Sequence, residues 1–426
     1  MKIRNKDIQF FLVGFGLLFL PSIIRVSLLK SQWALINIFS WAGIILLTKR
    51  YYGERVILSK EERNGVINPL LLSLLIILFL LEGMILPQFS IESKMKYIYA
   101  TILPCYILYA SLPKNEIICY VKIFARMLTI ASTIVVICGI LDRFIGTSIG
   151  KMIVEFTATD SLVESLLQGR MVSYFGHPLL TSEVLILCFL FNTLVNYCIE
   201  KKTLLGMVYN ALICVIGVGL CGSKTGIVLI AIAFALFYIN KKGFKYFALI
   251  SVAVVLIYSY GLLDTVIERF LLGFKADDLT TGRNIALALL LKNGQLQFNF
   301  WVGHVGTELS EKMIAALEYP LVRWAYLFGI WFSIVMSVVL FLIPIIKTIK
   351  MKNTKIVISL LILIFEVNSY NGITTQSDHM LLYCVSVFLL INLSYVMRGN
   401  KNEDMYISPK FIHTRRNTKS CNNNIE

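Results

Sequence analysis

Three cations stand apart in this sequence: Arg170 in "GRMVSYFGHP", Lys224 in "GLCGSKTGIVL" and Arg283 in "DDLTTGRNIALALLLKNG". A guanidinium is a planar fork of donors that matches two phosphate oxygens at once, and an ammonium is a point charge that suits the same partner less directionally. The chemistry these residues fit is capture of an anion, above all a diphosphate. Gly282 adds to the case at Arg283, because it precedes a short apolar helix whose first backbone N–H groups would face the same anion. The stretch around Lys224 is not a nucleotide-binding loop. G-x-x-x-x-G-K-[ST] needs Lys directly after the second Gly, and Ser223 intervenes. For any one cation alone, a solvated charge or a lipid-headgroup contact is the plain alternative.

The elements that must hold these residues are membrane helices. Apolar residues make up 57% of the 426 and charged residues 15%, and the mean hydropathy is +0.76. That composition predicts an all-α integral membrane protein. Apolar runs fall at approximately 8–29, 33–48, 66–86, 95–112, 117–141, 179–199, 204–221, 225–240, 244–263, 321–346, 355–372 and 380–397. At about 20 residues per crossing they read as about twelve transmembrane helices in a single domain over 1–397. The first run is too long for a cleaved signal peptide and is expected to stay as an anchor.

Lys and Arg set the orientation. With the N-terminus inside, the inner segments carry most of the basic residues, and the short outer loops hold only Lys30, Lys94, Lys96 and Lys224. Both termini are therefore expected in the cytoplasm. Arg25 and Arg126, at span ends, are expected to snorkel to the nearer interface. The net charge of +15 is explained by basic loops against an anionic leaflet, without nucleic acid. Residues 398–426 read as a disordered basic cytoplasmic tail. Nine cysteines without a C-x-x-C pair and four histidines without ligand spacing predict neither a disulfide framework nor a metal site.

Two outer segments, about 142–178 and about 264–320, are too long for turns. Leu162, Val163, Leu166 and Leu167 recur at helical spacing in the first, and "TGRNIALALLLKNG" is apolar for too few residues to span. Short interfacial helices packed over the outer mouth are the expectation. All three cations lie on that face, against the usual charge bias.

Four segments, in order, resemble the O-antigen polymerase and O-antigen ligase superfamily of bacterial polysaccharide assembly. "GRMVSYFGHPLLTSEVL" is similar to the family's Arg-x-x-x-x-Phe-x-x-Pro segment. "GSKTGIVLIAIA" is similar to its Ser-Arg-x-x segment, with Lys224 where Arg is usual. "TTGRNIALALLLKNGQLQFNFWVGHVGTE" resembles its Gly-Arg helix and the turn that follows. "EYPLVRWAYLFGI" resembles the ligase His segment, with Glu318 in the His place and Gly329 eleven residues on. The motifs cover residues 170 to 331. The missing His argues against a lipid A-core ligase.

The resemblance implies glycosyl transfer without metal or cofactor at the outer face of the bacterial cytoplasmic membrane. A glycan on undecaprenyl diphosphate is the donor, and a hydroxyl of a second lipid-linked repeat unit attacks its reducing-end sugar. Arg170, Lys224 and Arg283 would stabilise the departing diphosphate. Glu318 is the first candidate for general base and His304 the second. Beside those roles stand plainer ones: pairing of Glu318 with Arg323 or capping of the helix after Pro320, and a loop hydrogen bond for His304. For His177 the reading is a cap of the helix at Pro178, and for Glu183 a place lining the cavity. Tyr174, Phe175, Trp301, Tyr319 and Trp324 suit sugar stacking or an aromatic belt equally. Glu366 and Asp378 are weaker sugar contacts. A flippase and a chain-length regulator of the same pathway are implied partners. The competing functions are a lipid-linked oligosaccharide flippase or other transporter, an O-antigen-ligase-type transferase, and a structural membrane protein.

Overall fold

The computed structural model describes residues 5–31, 34, 36–53, 69–85, 95–109, 114–157, 160–238, 244–275, 282–304, 313, 317–370, 372–375 and 377–399. The tail from residue 400 onward, and Asp277 and Asp278, lie outside the described residues. Those described form helices and turns, and the single extended pairing is a bridge between Ser173 and Gly176. In chain order the helices are α1 (Asn5–Leu18), α2 (Ser22–Leu29), α3 (Ile38–Gly53), α4 (Pro69–Ile85), α5 (Lys114–Phe144), α6 (Ser148–Thr157) and α7 (Asp160–Leu167). There follow α8 (Pro178–Leu194), α9 (Leu204–Leu220), α10 (Lys224–Tyr238), α11 (Phe244–Ser259), α12 (Asp264–Lys275) and α13 (Arg283–Lys292). The last are α14 (Pro320–Phe328), α15 (Ile330–Ser337), α16 (Ile343–Lys350), α17 (Thr354–Asn368), α18 (Gly372–Thr375) and α19 (Ser377–Gly399).

Helices α8 and α19 are the buried axis of the molecule. Both are mostly apolar and buried on nearly every side; α5, α9, α10 and α17 pack on α8, and α5, α16 and α17 pack on α19. Pro178 at the first turn of α8 supplies a preset φ where its missing N–H costs nothing, and His177 caps it. Thr203 and Asn353 cap α9 and α17 through side-chain oxygens. These caps fix helix ends, and through them the loops that carry the polar residues.

Among the described residues, four helices are long and apolar enough to cross a membrane: Glu116–Phe144, Pro178–Ile199, Ile330–Lys350 and Asp378–Met397. Two bent pairs raise the number to six if each counts as one span. The other apolar runs searched form helices of 10–17 residues, so the sequence expectation of about twelve crossings exceeds what helix length alone supports among the described residues. Chain-breaking residues account for part of the difference. Pro21 interrupts the first run, and α1 and α2 meet at 76°. Gly261, at φ +71°, lies at the 84° bend before α12. Within the Ile330–Lys350 span Pro344 cannot donate to Leu340, and a π turn at Val338–Leu342 absorbs the irregularity without ending the span. The Leu340 carbonyl is taken instead by the Tyr383 hydroxyl at 2.8 Å.

Arg25 does not snorkel. It is buried and forks onto Asp378, Nη1 to Oδ2 at 2.9 Å and Nη2 to Oδ1 at 3.1 Å. Its Nε donates to the Ala34 carbonyl, and Asn37 Nδ2 adds a bond to Asp378. The pair ties α2 to the start of α19, and both charges are fully engaged in holding these elements together.

Candidate functional site

The polar residues converge at the end of the bundle where α8 and α10 begin and α17 finishes. Its centre is the turn Cys221-Gly222-Ser223 between α9 and α10. Gly222 adopts φ +62°, and a Cβ there would press on Thr265, Arg170 and Arg269, so the tight turn suits glycine. Ser223 caps α10 by accepting the Gly226 N–H at 3.1 Å. The segment after α7 crosses this turn. Met171 N donates to Leu220 O at 2.8 Å, and Arg170 Nε donates to Cys221 O at 2.9 Å. From α12, Arg269 Nη1 donates to Gly222 O.

Arg283, first residue of α13, donates from Nη1 to the Ser369 carbonyl at the C-terminal cap of α17 at 2.7 Å. Its Nε pairs with Glu318. Gly282 before it is left-handed, at φ 87°. Arg170, Arg269, Arg283 and Glu318 lie within electrostatic reach of one another. Burial first, and then the charges of Arg269 and Arg283, pull the Arg170 pKa down to about 10, against the opposing pull of Cys221 and Glu318. Arg170 is 7% exposed, and its Nη2 has no hydrogen-bond partner. A shallow cleft lined by Asp142, Gly169, Met171 and Leu220 opens on it.

His177 faces the same group. Burial, followed by the charges of Arg170, Arg283 and Arg269, lowers its pKa to about 4, so the ring is neutral near pH 7. Its Nδ1 accepts the Leu179 N–H at 3.2 Å, which puts the ring hydrogen on Nε2 and makes that atom a donor. Three helix N-termini, those of α8, α10 and α13, meet here and add partial positive charge. Among the described residues, three guanidiniums, one neutral donor ring and one partly exposed carboxylate make an arrangement whose donors suit an anion.

The other sequence candidates fall around this centre. Lys224 opens α10 immediately after the turn and is half-buried. His304 has its Nε2 on the Gln297 carbonyl at 2.9 Å, and its ring stacks on Tyr326 with centroids 4.7 Å apart. Arg323 lies within electrostatic reach of Glu318 and Tyr97. Tyr174 donates to the Leu18 carbonyl at 3.0 Å and packs on Phe175. Trp301 is largely exposed, and its carbonyl receives the Trp331 indole N–H at 2.9 Å.

Beneath the arginines lies a buried polar layer. Tyr370 donates to Glu183 Oε2 and its hydroxyl contacts His379 Nδ1 at 3.2 Å. Ser182 Oγ donates to Glu366 Oε1 at 3.1 Å. Glu183 and Glu366 are wholly buried and His379 is 1% exposed. Glu183 Oε1, Glu366 Oε2 and His379 Nε2 have no hydrogen-bond partner. No group of residues suited to holding a metal ion occurs among the described residues.

Sequence reasoning missed Arg269 and the Tyr370–His379 contact. Arg269 carried a signal, an arginine in an outer segment, but its partner carbonyl is 47 residues away. His379 had none, since it joins Glu183 only through packing. Comparison with protein-family models, with characterised proteins and with solved structures finds no match to this chain.

Proposed function

We propose that this chain is a metal-independent membrane glycosyltransferase that joins undecaprenyl-diphosphate-linked oligosaccharide repeat units into a polysaccharide. In this reading the work is done at the outer face of a bacterial cytoplasmic membrane, with about twelve crossings and both termini inside. The observation that carries it is the cluster of Arg170, Arg269 and Arg283 beside the partly exposed Glu318 carboxylate among the described residues. Like charges gathered in a poorly solvated place are costly unless an anion joins them. A diphosphate supplies enough charge and oxygens for three forks.

The chemistry then follows from charge development. An acceptor hydroxyl attacks the anomeric carbon of the donor sugar, a new C–O bond forms, and the sugar–diphosphate bond breaks with its electrons going to the phosphate oxygen. The guanidiniums and His177 Nε2–H stabilise that oxygen more as it departs than before, which is what lowers the barrier. Glu318 acts as the resident counter-anion of Arg283, which the diphosphate displaces. The lipid tail stays in the bilayer beside the bundle.

The test is polymer length in cells. Arg170→Ala and Arg283→Ala are each expected to lower polymerisation on the order of 10²-fold or more, as loss of one oxyanion donor does, with the protein still inserted. Normal polymer in both variants would sink the proposal. Deleting the gene separates it from a flippase: single repeat units should accumulate on the lipid carrier outside, whereas a lost flippase leaves them inside. A topology reporter that reads residue 290 as cytoplasmic also overturns it.

A further inference from the structure

We propose that Glu183, Tyr370 and His379 form a proton relay in which His379 Nε2 receives the proton of the attacking acceptor hydroxyl. This rests on the polymerase reading. The hydrogen positions follow from counting. A tyrosine hydroxyl has one hydrogen, and that of Tyr370 goes to Glu183 Oε2. Its oxygen therefore accepts at the 3.2 Å contact with His379, which requires the hydrogen on Nδ1. Nε2 is left with a lone pair, and Nε2 is the atom with no hydrogen-bond partner. A buried acceptor left unpaired is costly, and three such atoms cluster here on Glu183, Glu366 and His379.

The layer is assembled for contact. Gly372, at the start of α18, makes the Tyr370–His379 approach possible: a Cβ there would lie 2.3 Å from His379 Nδ1 and 2.2 Å from the Tyr370 ring. Glu366, held by Ser182, brings a second carboxyl to the same place. Because His379 is closed off from solvent, the acceptor reaches it only when the elements packed over it part.

In the step itself, the acceptor O–H bond breaks and its proton goes to Nε2. The oxygen's electron pair forms the bond to the anomeric carbon, and the diphosphate leaves with the old bonding pair. Imidazolium charge on His379 is stabilised through Tyr370 by Glu183, which remains a carboxylate. The proton returns to solvent as product leaves. Glu183 and Tyr370 are positioning residues, since they act through the ring. Neither Glu318 nor His304 is needed as base in this scheme.

The experiment uses the full chain in lipid nanodiscs, carrying ¹⁵N-histidine, with His379→Gln assigning the signal. The Nδ1–H tautomer is expected near neutral pH, and Tyr370→Phe should lose it; an Nε2–H tautomer in the wild type overturns the relay. With lipid-linked repeat units as substrate, His379→Gln should lower kcat roughly 10²–10⁴-fold with KM little changed. Glu183→Gln should lower it less. Binding of inorganic diphosphate should be unchanged in all three variants, and its loss would mean a merely structural role. A wild-type rate in His379→Gln overturns the relay and leaves the polymerase reading standing. A wild-type protein that makes no polymer overturns that reading and the step resting on it, whatever the tautomer.

Discussion

Arg170 and Arg269 hold consecutive carbonyls of one turn: Arg170 Nε donates to Cys221 O and Arg269 Nη1 to Gly222 O. The two come from opposite ends of the outer segments, 99 positions apart by their numbers. Each uses part of its fork on the backbone, which fixes the guanidinium planes before any ligand arrives. Preorganised donors cost no rearrangement when charge develops.

That arrangement makes Arg269 a member of the site. Arg269→Ala is expected to weaken binding of inorganic diphosphate at least tenfold, about 1.4 kcal/mol, in calorimetry on the nanodisc-embedded protein. Arg269→Lys should recover little, because an ammonium cannot bond a carbonyl and a phosphate in one plane. Full recovery by Lys would mean that only net charge matters.

Gly222 is the joint on which both arginines rest. Gly222→Ala puts a side chain at φ +62°, a conformation that costs an L-residue roughly 1–2 kcal/mol, and brings Cβ to 3.2 Å from Thr265 and 3.4 Å from each arginine. The expected outcome is a lower unfolding temperature together with weaker diphosphate binding. Wild-type binding with lowered stability would show that the turn does not set the arginine positions.

Arg283 was readable in the sequence because its signal is local: glycine, then arginine, at the head of an apolar helix too short to span. The structure gives that helix as Arg283–Lys292. Arg170 was readable for a similar reason, being an unusual cation on a face that should have few. Arg269 was not, because its meaning depends on a carbonyl brought to it by folding. Glu183 and Glu366 stood out only as polar residues near span ends, and nothing in their spacing links them to Tyr370 or Ser182. Helix lengths were also less legible than apolar runs. Hydropathy sees apolar runs but not the Pro21 bend or the Gly261 corner.

Glu318 and Arg283 form the ion pair that a ligand must compete with. Glu318→Gln removes the competing charge and keeps the shape. Diphosphate affinity is expected to rise several-fold, in keeping with the modest worth of a partly exposed pair. Unchanged or weaker binding would assign Glu318 a different role, such as direct contact with the acceptor sugar.

His177 gives the site a pH dependence with a definite sign. Its pKa is about 4 in the fold against an ordinary 6.5, with burial and then the three arginines as the cause. Between those values the unfolded chain binds a proton that the folded chain refuses, so stability falls as pH drops from 6.5 toward 4. The loss approaches an order of 2–3 kcal/mol at the low end. Thermal unfolding of the detergent-solubilised protein across this range should show the slope. His177→Asn keeps an acceptor for the Leu179 N–H and should flatten it; an equal slope in the variant would assign the pH dependence to other groups.

The Arg25–Asp378 pair offers the sharpest separation of structure from function. Both side chains are buried, and Asn37 and the Ala34 carbonyl complete their bonds. Removing one partner leaves a buried charge unpaired, so Arg25→Ala is expected to destabilise the protein by about 3–5 kcal/mol. Replacing both at once, as Arg25→Met with Asp378→Leu, deletes the charges together and should recover much of that loss, since a buried pair roughly breaks even with apolar side chains. Asp378 adjoins His379 in the chain, so the double variant also asks whether the pair serves the site. Diphosphate binding in the refolded double variant should match the wild type if the pair only ties α2 to α19. A protein that is stable but no longer binds would place Asp378 among the residues that shape the anion site.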